Sequence, residues 1–112
     1  MIYESSLVAA TNTDVLAGGR LNAIPYNGKL TLDFLSDLGT AAAFYSLTIQ
    51  LPNGDVPVDA QVVNASSSAA DMLFDDRELL RFTFRASQGG HFVVSLTETG
   101  TAVCAFRAIL SP

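Results

Sequence analysis

The feature that most constrains this chain is a period of two. In LTLDF, Leu30, Leu32 and Phe34 alternate with Thr31 and Asp33. In FYSLTIQL, Tyr45, Leu47, Ile49 and Leu51 alternate with Ser46, Thr48 and Gln50. LRFTFR sets Leu80, Phe82 and Phe84 against Arg81, Thr83 and Arg85, and HFVVSLT sets Phe92, Val94 and Leu96 against Val93, Ser95 and Thr97. In AVCAFRAIL one face carries Ala102, Cys104, Phe106, Ala108 and Leu110. Successive side chains of a strand point to opposite faces. Such alternation describes antiparallel sheets with one buried and one solvated face.

Turn residues separate these runs. AGGR at 17–20 and YNGK at 26–29 punctuate the first third, and PNGD at 52–55, SQGG at 87–90 and ETGT at 98–101 the rest. Asn27-Gly28 is a type I′ hairpin signal because both central positions need positive φ, and PNGD carries the same signal. Helix has little room. SSSAADMLFDDRELL could be capped by Ser68, but Asp71 stands at the capping-box position and the apolar spacing is poor, so 64–77 reads as a long connection. The expected strands are 2–9, 20–24, 29–35, 43–51, 57–63, 79–86, 91–97 and 102–110. The last three read as strands joined by tight turns. About eight strands in a single domain, 1–112, predict an all-β fold: a two-sheet antiparallel β-sandwich of jelly-roll or related Greek-key topology. Residues 1–19 read as an extended arm or an edge strand.

Charge narrows the function. The chain has a net charge of −5. An acidic domain repels phosphate backbones, so direct nucleic-acid binding is not expected, nor is binding to an anionic membrane. No apolar run is long enough to span a bilayer as a helix. MIYESSLVAATNTD lacks the basic start of a signal peptide, and a cytoplasmic site of synthesis is expected. Only 15% of residues are charged, against roughly 25% in ordinary soluble domains. A large partner interface and Ser/Thr-rich outer faces both account for that.

Few residues offer chemistry. His91 is the single histidine, follows Gly89-Gly90 and reads as a turn residue. With no G-x-S-x-G elbow it has no serine to activate. Cys104 is the single cysteine and lies on an apolar face, where core packing is its expected role. Asp71, Asp75, Asp76 and Glu78 are close in sequence but lack EF-hand spacing, so a solvated acidic loop is expected. No cofactor, metal or catalytic residue is expected, and the chain is not expected to be an enzyme. Asn64-Ala65-Ser66 fits the glycosylation pattern but has no secretory context. The more suggestive residues are Arg81 and Arg85, which share a strand face, and the apolar N-terminal segment with Ile2, Tyr3 and Leu7. Together these five make a candidate partner interface, since arginine and tyrosine are enriched at interfaces.

LVAATNTDVLAGGRLNAIP, LTIQLPNGDVPVD and GGHFVVSLTETGTA complete the layout. On these stretches the chain resembles the small β-sandwich decoration, or cement, proteins of tailed bacteriophage capsids. The resemblance implies a structural virion protein on the capsid surface, made in the host cytoplasm. Its partners would be the major capsid protein and further copies of itself, as a trimer. It brings no catalytic residues. Two other readings compete. One is a tail or neck component. The other is a carbohydrate-binding or host-adhesion sandwich, for which no tryptophan and only Tyr3, Tyr26 and Tyr45 are poor equipment.

Overall fold

A computed structural model describes residues 1–36, 44–64, 78–99 and 104–112. Among these residues there are strands and turns but no helix. The strands are β1 (Ile2–Val8), β2 (Gly28–Ser36), β3 (Phe44–Gln50), β4 (Val58–Asn64), β5 (Glu78–Ala86), β6 (Val93–Thr99) and β7 (Cys104–Ser111). They form two antiparallel sheets packed against each other, a β-sandwich. One sheet has the order β1-β7-β2-β5 and the other β4-β3-β6.

The alternation does what it predicts. Leu30, Leu32 and Phe34 of β2 face Tyr45, Leu47 and Ile49 of β3 within one core, with Phe106 and Leu110 from β7. Phe34 anchors it, with its ring centroid 5.2 Å from Phe106 and 6.2 Å from Phe82. Each fully buried Leu, Ile or Phe contributes on the order of 1.5–3 kcal/mol. Cys104 packs in the same core and is fully buried.

Four expectations need correction. First, 20–24 is not a strand. Its backbone is taken up in turns, with Gly18 in left-handed backbone, Gly19 N–H donating to the Leu16 carbonyl (3.2 Å) and Asn22 N–H to the Gly19 carbonyl (3.3 Å). Leu21 and Ile24 instead plug the core from a loop, and Ile24 exchanges backbone bonds with Gly89 and Gly90 (2.7 and 2.9 Å). Second, Asn27-Gly28 closes no hairpin, and Gly28 does not have positive φ. Glycine stands there because a Cβ would overlap the Ser111 carbonyl oxygen on the neighbouring strand. Third, PNGD does join two paired strands, β3 and β4, but only Gly54 has positive φ. The turn closes from Gly54 N–H to the Leu51 carbonyl (2.9 Å) and from Leu51 N–H to the Asp55 carbonyl (2.8 Å), a wider loop than type I′. Fourth, the closing strands are not hairpins. β5 lies in the first sheet, β6 in the second and β7 in the first again, so each connection crosses the sandwich. The Ser68 cap, most of the 64–77 connection, the acids at 71, 75 and 76, Ala102 and the ends of the sequon and of ETGT lie outside the described residues.

Residues 11–15 cover the outer edge of β6. Asn12 and Leu96 exchange two backbone bonds of 2.8 Å, and Val15 N–H donates to Val94 (2.9 Å). The Thr11 hydroxyl accepts from Glu98 N–H, and the Ser95 hydroxyl donates to the Thr13 carbonyl. This removes one exposed edge of the second sheet. At its other edge β4 bulges, with Ala60 at φ 53°, a device that discourages edge pairing.

Candidate interaction face

The outer surface of the four-stranded sheet is built rung by rung from the register. One rung reads Ser111, Lys29, Arg85; the next Tyr3, Ile109, Thr31, Thr83; the next Ser5, Arg107, Asp33, Arg81. Leu7 follows, exposed, in line with Ala105 and Leu35, which are both buried. This face therefore carries Lys29, Arg81, Arg85 and Arg107, four of the six basic residues of a chain whose net charge is −5. Among the described residues, Asp33 is the acid on it. On the outer face of the other sheet β3 and β6 project the uncharged Ser46, Thr48, Gln50, Ser95, Thr97 and Thr99, and β4 adds exposed Asp59 and Val62. Among the described residues, Ser and Thr are the commonest outward residues of β3 and β6, while the basic residues gather on the other sheet.

Asp33 has no solvent exposure. Arg81 on one side donates from Nε to Oδ1 (2.8 Å) and from Nη2 to Oδ2 (3.1 Å). Arg107 on the other side donates from Nε and Nη2 to Oδ2 (2.9 and 2.7 Å). Burial by itself would raise the Asp33 pKa. The hydrogen bonds from Arg81 and Arg107, with their charges, outweigh it and hold the carboxyl below its ordinary 3.8. The same bonds push both guanidinium pKa values up. Tyr3, one rung along the sheet, adds to the upward push on Arg107 from the edge strand. The network carries a net positive charge, and its arginines are held in fixed positions. Arg81 remains 52% exposed.

Lys29 and Arg85 face each other one strand apart, and neither has an acidic partner among the described residues. Like charges directly opposite destabilise a sheet. Arg85 also stands at the mouth of a cleft of about 330 Å³, floored by Leu51, Pro52, Phe84 and Phe92 with Asn53 at the rim.

Of the five residues singled out from the sequence, Tyr3, Leu7, Arg81 and Arg85 lie on this one face. Tyr3 is 48% and Leu7 53% exposed. Ile2 points inward and is half-buried against the core. Alternation alone did not single out Asp33, Arg107 and Lys29, because their importance depends on register. His91 lies at an exposed corner, where Nε2 meets Asp14 Oδ2 (2.9 Å) and Nδ1 meets the Asn22 carbonyl, so it fastens the N-terminal loop to the start of β6. Cys104 is pushed up to about 12 by burial. Tyr45 is buried, donates to the Val8 carbonyl (2.9 Å) and contacts Glu98 (3.2 Å); burial and then the Glu98 charge push it to about 12. Tyr26 is half-buried and donates to the Leu110 carbonyl. No group of three or more metal-ligating side chains occurs among the described residues, and none of them form a helix long and apolar enough to cross a membrane. The chain matches no known protein family, no curated protein and no solved structure.

Proposed function

We propose that the chain is a structural virion protein that decorates the outside of a bacteriophage head and docks through the outer face of its four-stranded sheet. The observation that carries this reading is the concentration of basic residues, with exposed Tyr3 and Leu7, on one sheet face of an acidic domain. Arginine and tyrosine held in place beforehand lose little freedom on binding, which suits them to protein contacts. The partner is an acidic patch on the major capsid protein. A homotrimer at a symmetric site multiplies weak contacts through effective concentration. A molecule that binds the assembled shell better than its dissociated subunits stabilises the shell by mass action. No catalytic role and no cofactor enter this reading.

The strand order supports the corresponding architecture. With residues 11–15 counted as an eighth strand beside β6, the sheets run β1-β7-β2-β5 and (11–15)-β6-β3-β4, the arrangement of a jelly roll. The glycan-binding alternative loses ground, because Tyr45 and Tyr26 are engaged in the fold and Tyr3 alone is exposed. The test is to strip the chain from purified particles and add it back. Heat tolerance should fall on stripping and return on addition. Unchanged tolerance would remove the stabilising role, and location of the chain at the tail would move it to a tail or neck component.

A further inference from the structure

We infer that the end of the sandwich around Arg85 is a recognition site for an extended polypeptide segment in which an acidic residue is followed directly by a large apolar one. The inference rests on the docking reading above and names the chemistry of the partner element. Three observations converge there. β5 is the last strand of its sheet, and no described strand pairs with its outer side, the side on which an added strand would pair. Lys29 and Arg85 form a pair of cations on the outer face of the same sheet end, with no acidic partner among the described residues. On the inner side of the same stretch of β5 lies the cleft of about 330 Å³, with Leu51, Pro52, Phe84 and Phe92 as its floor.

Strand geometry links the three. In an added strand, neighbouring side chains point to opposite faces. A carboxylate turned toward Arg85 and Lys29 therefore places the next side chain toward the apolar cleft. An acid removes the like-charge repulsion between Lys29 and Arg85, and the apolar residue completes the burial of Phe84, which is only partly buried beside the fully buried Phe92. A small free anion would satisfy the cations but neither the cleft nor the strand edge. The occupant is thus a polypeptide.

The test uses fluorescein-labelled, acetylated peptides of identical flanks with Asp-Phe, Asn-Phe, Asp-Gly or Lys-Phe at the centre, titrated against the full chain by fluorescence anisotropy. The Asp-Phe peptide should bind roughly tenfold tighter than the others, and the preference for Asp over Asn should shrink in about 0.5 M salt. Arg85→Gln and Lys29→Gln, both at exposed positions, should abolish that preference without lowering the melting temperature, which should hold or rise slightly as the like-charge repulsion is relieved. Equal binding of Asp-Phe and Asn-Phe, no binding of Asp-Phe up to its solubility limit, or an undiminished preference in Arg85→Gln would overturn the site. Concentration-dependent self-association of the chain alone, lost in Arg85→Gln, would assign the cleft to a second copy and overturn the partner segment. No shell is present in these titrations, so failure of capsid docking and failure of this site are read separately.

Discussion

Replacing Asp33 by asparagine keeps the shape of the side chain and removes its charge. The carboxylate is fully shielded from solvent and accepts four N–H bonds from two guanidinium groups. Removing one member of a buried ion pair costs about 3–5 kcal/mol when the charges left behind stay buried. Here they do not stay fully buried: the side chains of Arg81 and Arg107 are 52% and 20% exposed and can recover water. The expected loss for Asp33→Asn is therefore about 2–3 kcal/mol. In a domain of this size that lowers Tm by roughly 8–12 °C. Urea and thermal unfolding followed by circular dichroism at neutral pH measure it. Arg107→Gln should cost more than Arg81→Gln, because Arg107 is the more shielded. pH gives a second reading. Folding holds Asp33 below its ordinary 3.8, so its stabilisation is complete above the unfolded value and disappears as pH falls through the lower folded value. The parent should lose stability below roughly pH 4 more steeply than Asp33→Asn. A change smaller than about 0.5 kcal/mol, with identical acid limbs, would refute the central role of this network.

Gly28→Ala drives a methyl into the Ser111 carbonyl and should destabilise by more than about 2 kcal/mol, whereas Gly54→Ala, strained only by its φ of 93°, should cost about 1 kcal/mol; denaturant titrations of the pair separate close approach from backbone strain. Tyr45→Phe removes a buried hydroxyl bonded to the Val8 carbonyl and should cost about 1–2 kcal/mol. Because folding raises the Tyr45 pKa to about 12 from 10.0, its contribution is complete below the unfolded value and is lost as pH rises through the folded one, which alkaline unfolding of parent and variant would show. Cys104, buried and with its thiol pushed up to about 12, should resist a thiol-disulfide reagent in the native state and react on unfolding; rapid native labelling would contradict its place in the core.

The inward faces were legible because burial on one side of a sheet writes itself as alternation. Leu32, Leu47 and Phe106 could be assigned to a core without knowing which strand lies beside which. Sheet membership was not legible: β5, β6 and β7 alternate equally well, and nothing local says that each turn between them crosses the sandwich. Leu16, Leu21 and Ile24 were hidden for a different reason. They enter the core from loops, where no period announces them. The candidate interaction face was half legible. Arg81 and Arg85 stand out on one strand, but the difference between them comes from the partner strand. Register places Asp33 opposite the first and Lys29 opposite the second, so one arginine is locked into a network and the other faces a like charge.

The most direct test of the proposed docking is co-sedimentation of the purified chain with undecorated shells of the bacteriophage it is proposed to decorate. Three proteins suffice: the parent, the double variant Lys29→Glu/Arg85→Glu on the basic face, and Thr97→Glu on the outer face of the other sheet. Parent and Thr97→Glu should pellet with shells to the same extent, and the double variant should remain in the supernatant. Binding by the double variant equal to the parent, or loss of binding only in Thr97→Glu, would contradict docking through the four-stranded sheet.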